Sequence, residues 1–391
     1  MPVTNRKFPK SPSKTRRPRT RKRQIIVENL RQEIVSGTVT PGGRMPSHLE
    51  IARRFGASRV TAQWALRHLS QDGFIRTRAR SGTFVVDKPP HLNNYALVFF
   101  NDPASGYAAT QWSRYYMALS NEAVALQRQE RCRMLLFHGV DEHRDSDDYQ
   151  RLLSHLEARQ LAGIIFASHP YPTQGSPILE QPGIPRVAFM AKHFYPQVPA
   201  VTFDARMWLE KGLDYLAARG RKRIAIVAQA GTLLDDAWPA QAVAARGFEC
   251  PPQWRQIITF QAAQAARNCV HLLLSGPAGQ RPDGLLIDDD NFVEHSLAGV
   301  IAAGRRVPED VEVVTHCNFP WPPPAVLPVA RLGYDIRATL RMAMDLIDRQ
   351  RRGETVPALT LMPALFQQEL NNQPTAEVAP AASVALATAA K

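Results

Sequence analysis

The 391-residue sequence predicts an α/β protein in which a small N-terminal domain of helices and a β-hairpin precedes a large domain built on parallel strands. Two observations predict these domains. Helical patterns followed by a two-residue period occupy residues 24–88, and from residue 95 short apolar runs alternate with helical patterns, as in a doubly wound parallel sheet. About 275 residues are long for one such sheet, so we expect two lobes with a cleft between them.

Positive charge is concentrated at the N-terminal end of the chain. The formal net charge is +13, of which residues 1–23 carry +10 without any acidic residue and residues 24–88 carry +5. Residues 1–23 contain few apolar side chains, so we expect a disordered basic arm that either solubilises the chain or contacts DNA. The rest of the chain carries −2, so the sequence indicates that a polyanion binds near the N-terminus.

The N-terminal domain has the pattern of a winged helix-turn-helix. Residues 24–36 repeat apolar side chains at helical spacing, and Ser47 with Glu50 forms a capping-box signature at the start of a second helix. Ser58 suits the N-cap of a third helix, and residues 74–86 then alternate as two strands of a hairpin. Two short helices joined by a Gly-containing turn and followed by a hairpin wing are typical of a DNA-binding domain.

The third helix and the wing supply the candidate DNA contacts. A helix N-terminus directs N–H donors at phosphate, and Arg59 there can donate to a guanine edge or clamp a phosphate. Gln63, one turn further on, can reach an adenine edge, and Arg76, Arg78 and Arg80 alternate along one predicted face of the wing. Taken singly, each arginine is more simply explained as a solvated surface charge. The expected DNA-contacting residues are Ser47, Ser58, Arg59, Val60, Thr61, Gln63, Arg67, Arg78, Arg80, Ser81 and Gly82.

Residues 45–86 resemble the GntR-type winged helix-turn-helix. The family often has Arg where Gln63 stands and usually Gly where Arg80 stands, so the base preference and the wing tip depart from its pattern. The resemblance implies a transcription regulator that binds double-stranded DNA. The matching motifs, in order, are Pro46-Ser47, Glu50, Ile51-Ala52, Phe55-Gly56-Ala57-Ser58-Arg59-Val60-Thr61, Ala65-Leu66-Arg67-His68-Leu69, Gly73-Phe74-Ile75 and Gly82-Thr83-Phe84-Val85.

The large domain is expected over residues 95–370, after a stiff extended linker over residues 89–94 that contains Pro89 and Pro90. Residues 371–391 have low complexity and are expected to form a disordered tail. Eight apolar runs rich in β-branched and aromatic residues predict buried strands. They are residues 96–100, 133–137, 163–167, 186–190, 200–204, 223–227, 284–288 and 311–315.

The large domain resembles the LacI/GalR effector domain, which is itself similar to periplasmic sugar-binding proteins. The most specific match is AAGRRVPEDVEVVTHCN over residues 302–318, and PDGLLIDDD over residues 282–290 matches a family strand that ends in an Asn-Asp pair. The resemblance implies a two-lobed, periplasmic-binding-protein-like domain with a sugar or sugar derivative in its cleft. It also implies a homodimer on a pseudo-palindromic operator, and repression of carbohydrate-related genes is the family default.

Candidate ligand contacts lie where strand ends face each other across the expected cleft. Asp289 and Asp290 follow a predicted strand, where a carboxylate can accept hydrogen bonds from sugar hydroxyls. Capping of the next helix explains either aspartate equally well. Aromatic residues near the cleft are individually better explained by packing. The expected ligand-binding residues are Asn101, Asp102, Tyr107, Asp289, Asp290, Phe292, His316 and Asn318.

Two departures from the LacI/GalR pattern make the ligand uncertain. Residues 228–249 lack the Ser/x-x-x-Arg-x-x-Gly segment whose Arg clamps the ligand in that family, and residues 315–318 replace its Gly-Phe-Asp-Asp run. The missing Arg and the basic arm favour an alternative function, a constitutive DNA-binding protein whose sensor-like domain serves only for dimerisation.

Other functional classes receive little support from the sequence. Four scattered cysteines without C-x-x-C spacing predict neither disulfides nor a zinc site, and we expect no metal and no cofactor. Walker, G-x-S-x-G and H-E-x-x-H motifs do not occur, so no enzyme is predicted. No apolar run approaches the roughly 18–20 residues of a membrane span, and no secretory h-region follows the basic N-terminus, so we expect a cytoplasmic protein without a membrane partner.

Overall fold

The structure is a computed structural model that describes residues 18–104, 113–130, 132–190, 195, 197–235 and 237–372. Within these residues a small N-terminal domain, called the head, is followed by two lobes, each built on a six-stranded sheet. The lobe that contains the first strand of the large domain is called the N-lobe, and the other is called the C-lobe. The structure therefore confirms an α/β protein with a winged head and a two-lobed, doubly wound domain.

The head contains three helices and an antiparallel hairpin, as predicted. The capping box is confirmed, because Glu50 N donates to Ser47 Oγ at 3.3 Å and Ser47 N donates to the Glu50 carboxylate at 2.7 Å. Apolar side chains of all three helices and the hairpin form one buried core, which includes Leu30, Leu69 and Phe74. The elements are α1 (Pro18–Val35), α2 (His48–Arg54), α3 (Arg59–Gln71), β1 (Ile75–Arg78) and β2 (Gly82–Val85).

The first helix begins at Pro18 rather than near residue 24. The prediction of disorder up to residue 23 is therefore wrong for residues 18–23. The segment is rich in Arg and Lys, which are good helix formers, and two of its basic side chains contact other parts of the head. Lys22 Nζ donates to the Gly56 carbonyl at 2.6 Å, and the Arg23 guanidinium lies 5.4 Å from the centre of the Trp64 ring. The rest of the predicted arm lies outside the described residues.

The linker is compact rather than extended, so the prediction for residues 89–94 is also wrong. Proline fits the first turn of a helix because its missing N–H would be unpaired there, and α4 (Pro90–Asn93) begins in this way. His91 is buried, and its ring stacks on Phe74 of the head at a centroid distance of 5.8 Å. Through this ring contact α4 is packed against the head.

The N-lobe sheet is parallel throughout, in the order β13-β7-β6-β5-β3-β4. Helices α5 and α12 cover one face, and α6 and α7 cover the other, so the strands are buried on both sides. The elements are β3 (Asn94–Val98), α5 (Arg114–Gln129), β4 (Arg133–Phe137), α6 (Asp147–Glu157), β5 (Gly163–Phe166), α7 (Pro177–Glu180), β6 (Arg186–Phe189), β7 (Ala200–Phe203), α12 (Ile336–Arg351) and β13 (Leu359–Met362).

The C-lobe sheet has the order β14-β12-β11-β10-β8-β9 and is parallel except for β14. Helices α8 and α9 cover one face, and α10 and α11 cover the other. The elements are α8 (Ala205–Ala218), β8 (Ile224–Gln229), α9 (Trp238–Ala245), β9 (Arg255–Ile258), α10 (Ala265–Leu274), β10 (Gly284–Ile287), α11 (Asp290–Ala302), β11 (Glu312–Phe319), β12 (Ala330–Asp335), β14 (Leu365–Phe366) and the terminal α13 (Gln367–Asn372).

The described chain crosses between the lobes three times. It leaves the N-lobe between β7 and α8, returns between β12 and α12, and leaves again between β13 and β14. Because parallel strands carry their loops at one edge, the carboxyl ends of both sheets face the same cleft. In the described part of the chain, no helix is long and apolar enough to cross a membrane.

Candidate DNA-binding surface and ligand cleft

The N-terminus of α3 is an exposed, capped helix start. Thr61 N donates to Ser58 Oγ at 3.2 Å, which fixes the cap. Arg59, Gln63 and Arg67 project from exposed positions, and Val60 is 66% exposed. Neither Arg59 nor Arg67 forms an ion pair with another described residue, so both side chains keep their charge on this part of the head surface.

The wing places its arginines less uniformly than predicted. Arg76 pairs with Asp87 at 3.2 Å, and Arg78 extends over the Phe84 ring at 5.1 Å. Arg80 lies in the turn beyond β1 rather than on the strand, so the prediction of one strand face is wrong for this residue. Ser81 is exposed beside it, and Gly82 begins β2 with a φ of +113°.

Arg80 has a φ of +59°, a left-handed conformation that costs a non-glycine residue about 1 kcal/mol. We expect Arg80→Gly to stabilise the head by up to about 1 kcal/mol, less the greater entropy of glycine in the unfolded chain. The matched variant Arg80→Ala removes the charge but keeps the strain. Chemical denaturation gives the free energy of unfolding of both variants, and the difference measures the strain at residue 80. A glycine variant that is no more stable than the alanine variant contradicts the prediction.

The head also contacts the N-lobe through α1. The Arg159 guanidinium, which follows α6, lies 3.1 Å from the Glu28 carboxylate and donates to the Gln32 side chain. The Arg351 guanidinium of α12 donates to the His91 carbonyl at 3.3 Å. The head is thus held against the N-lobe.

The cleft between the lobes has a volume of about 760 Å³. It is lined by residues at the carboxyl ends of strands from both sheets, including Ser168 after β5, Met190 after β6 and Gln229 at the end of β8. A space of this size suits a small organic molecule.

Three consecutive aspartates form the C-lobe side of the cleft. Asp288 accepts hydrogen bonds from Gln229 N and Thr232 Oγ1, both at 2.9 Å. Asp289 caps α11 by accepting from Asn291 N at 2.8 Å. Asp290 is buried and accepts from Asn318 Nδ2 at 2.8 Å. The carboxylates therefore lie close together at the end of β10.

Burial makes ionisation of two of these aspartates costly. Desolvation, with a smaller contribution from the charge of Asp289, raises the pKa of Asp288 to about 8. The same two causes raise the pKa of Asp290. His316, beside them, has a lowered pKa because burial outweighs the attraction of Asp289, so its ring is neutral at pH 7. In the absence of a ligand, Asp288 is mostly protonated at neutral pH.

The raised pKa of Asp288 gives a pH dependence of stability with a definite sign. The folded chain holds this proton between about pH 4 and pH 8 while the unfolded chain releases it, so the free energy of unfolding falls as pH rises through this window. We expect Asp288→Asn to make that fall shallower. Urea denaturation of both proteins from pH 5 to pH 8 measures the difference, and parallel curves contradict it.

Aromatic rings form another wall of the cleft. Phe203 and Tyr334 stack at a centroid distance of 4.2 Å with an interplanar angle of 9°, and Tyr115 meets Phe203 edge-on at 5.6 Å. Trp208 Nε1 donates to the Leu332 carbonyl at 2.8 Å, which fixes the indole near His316. The wall is therefore rigid and mostly apolar.

One arginine bridges the lobes beside the acidic side of the cleft. Arg114 at the start of α5 donates its backbone N–H to Asn291 Oδ1 at 3.0 Å. Its guanidinium donates to the Glu294 carboxylate at 2.6 Å. Both partners lie on α11 of the C-lobe, so these bonds hold the two lobes together at this point.

The structure brings together most of the expected ligand-binding residues, but not all. Asp102 does not line the cleft, and its carboxylate accepts from Ala104 N at 2.8 Å. Phe292 is fully buried in the C-lobe core, so its assignment to the ligand site is wrong. Tyr107 lies outside the described residues. The expected residues that line the cleft are Asn101, Asp289, Asp290, His316 and Asn318.

Several cleft residues were missed by the sequence reasoning. Asp288 stands beside the two predicted aspartates, and its position at the end of the strand was the available signal. Phe203 and Tyr334 also lie at strand ends, but only the crossings between lobes bring them to one wall. No local sequence motif predicts this aromatic wall.

Two family models match the chain, one in the head and one in the large domain. Residues 22–85 match the family model described as bacterial regulatory proteins, gntR family. Residues 213–386 match the model described as periplasmic binding protein-like domain. These matches agree with the winged head and with the two-lobed domain.

Relatives of the chain are transcription regulators. The arabinose metabolism transcriptional repressor of Geobacillus stearothermophilus is 24% identical over 309 residues, which cover 74% of this chain and 81% of that protein. The transcriptional regulator GntR of Pseudomonas aeruginosa is 24% identical over 289 residues, covering 70% and 80%. A mannosyl-D-glycerate system repressor of Escherichia coli is 30% identical over 80 residues, covering 20% of this chain and 33% of that protein.

Solved structures show the same fold in the large domain. The complex of the transcriptional regulator CelR with cellobiose has a TM-score of 0.52 at 18% identity and covers 82% of this chain and 98% of its own. A LacI regulator from Lactobacillus casei with bound Tris has a TM-score of 0.50 at 17% identity and covers 71% and 96%.

The family-model matches and the regulator relatives define a DNA-binding transcription regulator. More specifically, the chain joins a GntR-type winged helix-turn-helix to a periplasmic-binding-protein-like domain. The fold of the large domain is shared by the solved structures of LacI-type regulators.

Proposed function

We propose that the protein is a repressor of carbohydrate-related genes whose affinity for its operator changes when a small molecule binds in the cleft. The observation that carries the proposal is the 760 Å³ cleft, lined by hydrogen-bonding strand ends and aromatic rings, in a chain whose head exposes a capped basic helix. Carboxylates that accept hydroxyl hydrogen bonds and rings that stack on apolar faces suit a sugar or sugar derivative. The repressor relatives support this choice.

On the DNA side, we propose that the α3 N-terminus and the wing tip contact double-stranded DNA. Arg59 would donate to a guanine edge or a phosphate, with Gln63 and Arg67 further along the groove and Arg80 reaching the wing-side phosphates or minor groove. Ser58 would offer its backbone N–H group to phosphate, and Thr61 would contact the phosphate through its hydroxyl, because its own N–H is bonded to Ser58 Oγ. The same assignment includes Ser47, Val60, Arg78, Ser81 and Gly82.

We further propose that two chains bind a pseudo-palindromic operator in the cytoplasm as a homodimer. One head reads one half-site, and two-fold symmetry of the protein matches that of the site. Light scattering should give twice the 43.6 kDa mass of one chain.

The signal would pass through the contacts between the head and the N-lobe. The Arg159–Glu28 pair joins the head to the lobe that bears half of the cleft. His91 of α4 links them as well, because its ring stacks on Phe74 of the head and its carbonyl accepts from Arg351 of that lobe. A ligand that prefers one lobe arrangement shifts operator affinity by its differential binding free energy, typically about 1–3 kcal/mol.

The test is operator affinity with and without sugars. Fluorescence anisotropy with a duplex from the region upstream of the gene should show a shift of about 5–150-fold for at least one sugar of a panel that includes L-arabinose and cellobiose. Asp289→Ala should remove the shift, whereas the matched control Glu309→Ala, an exposed acid at the opposite end of the C-lobe sheet, should keep it. Tight operator binding that no ligand alters would instead support the constitutive alternative.

A further inference from the structure

The described lining of the cleft is rich in hydrogen-bond acceptors and lacks fixed positive charge. Asp288, Asp289 and Asp290 supply carboxylates, and no Lys or Arg is among the described lining residues. Asn318 adds a fourth acceptor. Its Oδ1 is buried beside the His316 ring. A complementary ligand must therefore be rich in donors.

The acids are not arranged for a metal ion. Among the residues that the structure describes, no group of three His, Cys, Asp or Glu side chains could hold one. Their oxygens point to separate partners, since Asp288 is bound at Gln229 and Thr232 while Asp290 is bound at Asn318. The three acidic side chains line one side of an organic-ligand cleft.

The arginine that acts on Asp290 is not available to a ligand in the cleft. Arg114 acts electrostatically on Asp290, but its guanidinium is already paired with Glu294 at 2.6 Å and it does not line the cleft. Among the described lining residues, an anionic ligand such as a sugar phosphate would meet three aspartates and no Lys or Arg. Its burial would leave unpaired negative charge in a partly desolvated site.

The aromatic wall favours a positively charged ligand. Ring faces carry negative potential and attract cations within about 6 Å, most strongly when water is excluded. The Phe203–Tyr334 stack and Trp208 supply such faces close to His316, which contacts both Tyr334 and Trp208 and is attracted by Asp289. Carboxylates together with an aromatic wall suit an ammonium group.

We propose that the effector of this cleft carries a protonated amine, as in a small amino sugar, and that the Asp288–Asp290 side selects it over neutral and anionic analogues. This inference rests on the proposed function, because it names the chemical class of the ligand. The ammonium donates to the carboxylates and to Asn318 Oδ1, and the remaining hydroxyls use the other lining groups. The amine places a positive charge where Asp288 and Asp290 are now costly to ionise, so its binding expels their protons.

The experiment is calorimetry of the full chain with matched pairs that differ only in the amine: D-glucosamine with D-glucose, and D-galactosamine with D-galactose, beside D-glucose 6-phosphate. In at least one pair we expect the amine to bind ten-fold or more tightly than its neutral partner, and we expect no binding of the phosphate. At pH 6, where an amino sugar is protonated, amine binding should release protons. Titrations in buffers of different ionisation enthalpy detect this release.

Asp289→Asn tests the charge without removing the helix cap, because Asn caps a helix as well as Asp does. It should bring the amine and its neutral partner to within about three-fold of each other, while Glu309→Gln keeps the parent preference. Equal or tighter binding of the neutral sugars, or tight binding of the phosphate, overturns the inference but leaves the proposed function standing. If no ligand of either panel binds or alters operator affinity, both are overturned.

Discussion

Arg59→Ala should weaken operator binding by about 5–150-fold, which corresponds to the roughly 1–3 kcal/mol of a good bidentate base contact. Arg59 lies at the exposed, capped start of α3 and has no ion pair among the described residues, so its loss breaks no described ion pair. Circular dichroism of the variant should therefore equal that of the parent. Fluorescence anisotropy with the operator duplex measures the change.

Two further variants separate the geometry of Arg59 from its charge. Arg59→Lys keeps the charge but loses the planar fork, so its affinity should fall between those of the parent and the alanine variant if the contact is bidentate. Arg128→Ala removes an exposed arginine of α5 from the large domain and should leave affinity unchanged. Parent-like binding by Arg59→Ala is the result that removes α3 from the DNA interface.

Phe292→Ala should destabilise the large domain by about 3–5 kcal/mol, the range for deleting a fully buried phenylalanine ring. Phe292 has no exposed surface and packs in the C-lobe core between the sheet and α11. The effect should appear in the chemical denaturation of the large domain, because the deleted ring leaves a cavity there.

The matched variant Phe260→Ala removes the same ring from a partly exposed position in the cleft lining. It should cost far less stability than Phe292→Ala and should alter ligand binding instead. A stable Phe292→Ala protein that has lost only ligand binding would restore Phe292 to the site.

Much of the fold follows from local sequence patterns. The run at residues 133–137 coincides with β4, and the capping box at Ser47 marks the start of α2. These two predictions succeed because residues adjacent in sequence determine both a buried parallel strand and a helix cap. Short strands at the ends of the sheets, such as β9 and β13, are partly exposed and carry no comparable apolar run.

The errors arise where distant contacts decide the local structure. Pro89-Pro90 suggests an extended linker, but the stack of His91 on Phe74 accompanies a helical turn. Residues 18–23 have the composition of a disordered arm, yet the Trp64 ring and the Gly56 carbonyl provide partners for two of their side chains. Phe292 follows the cleft aspartates in sequence, but on α11 its side chain points into the core.

Only part of the candidate ligand site was predicted from the sequence, because distant contacts also decide which residues line it. Asp289, Asp290, His316 and Asn318 follow from the rule that ligands bind at strand ends. The stacked Phe203–Tyr334 wall does not, because these residues come from strands of different lobes and meet only after the chain has crossed between them. The charge class of the ligand depends on that assembled lining.

The most direct test of the account is the affinity of the full chain for a duplex from its own upstream region, titrated from 50 to 200 mM salt. A basic helix and wing that replace counterions on phosphates predict saturable binding whose logarithm falls linearly with the logarithm of salt concentration. The slope should become shallower by about one for each phosphate-contacting arginine removed from the head. Absence of saturable binding, or binding that salt does not weaken, would contradict the assignment of the head as a DNA-binding domain.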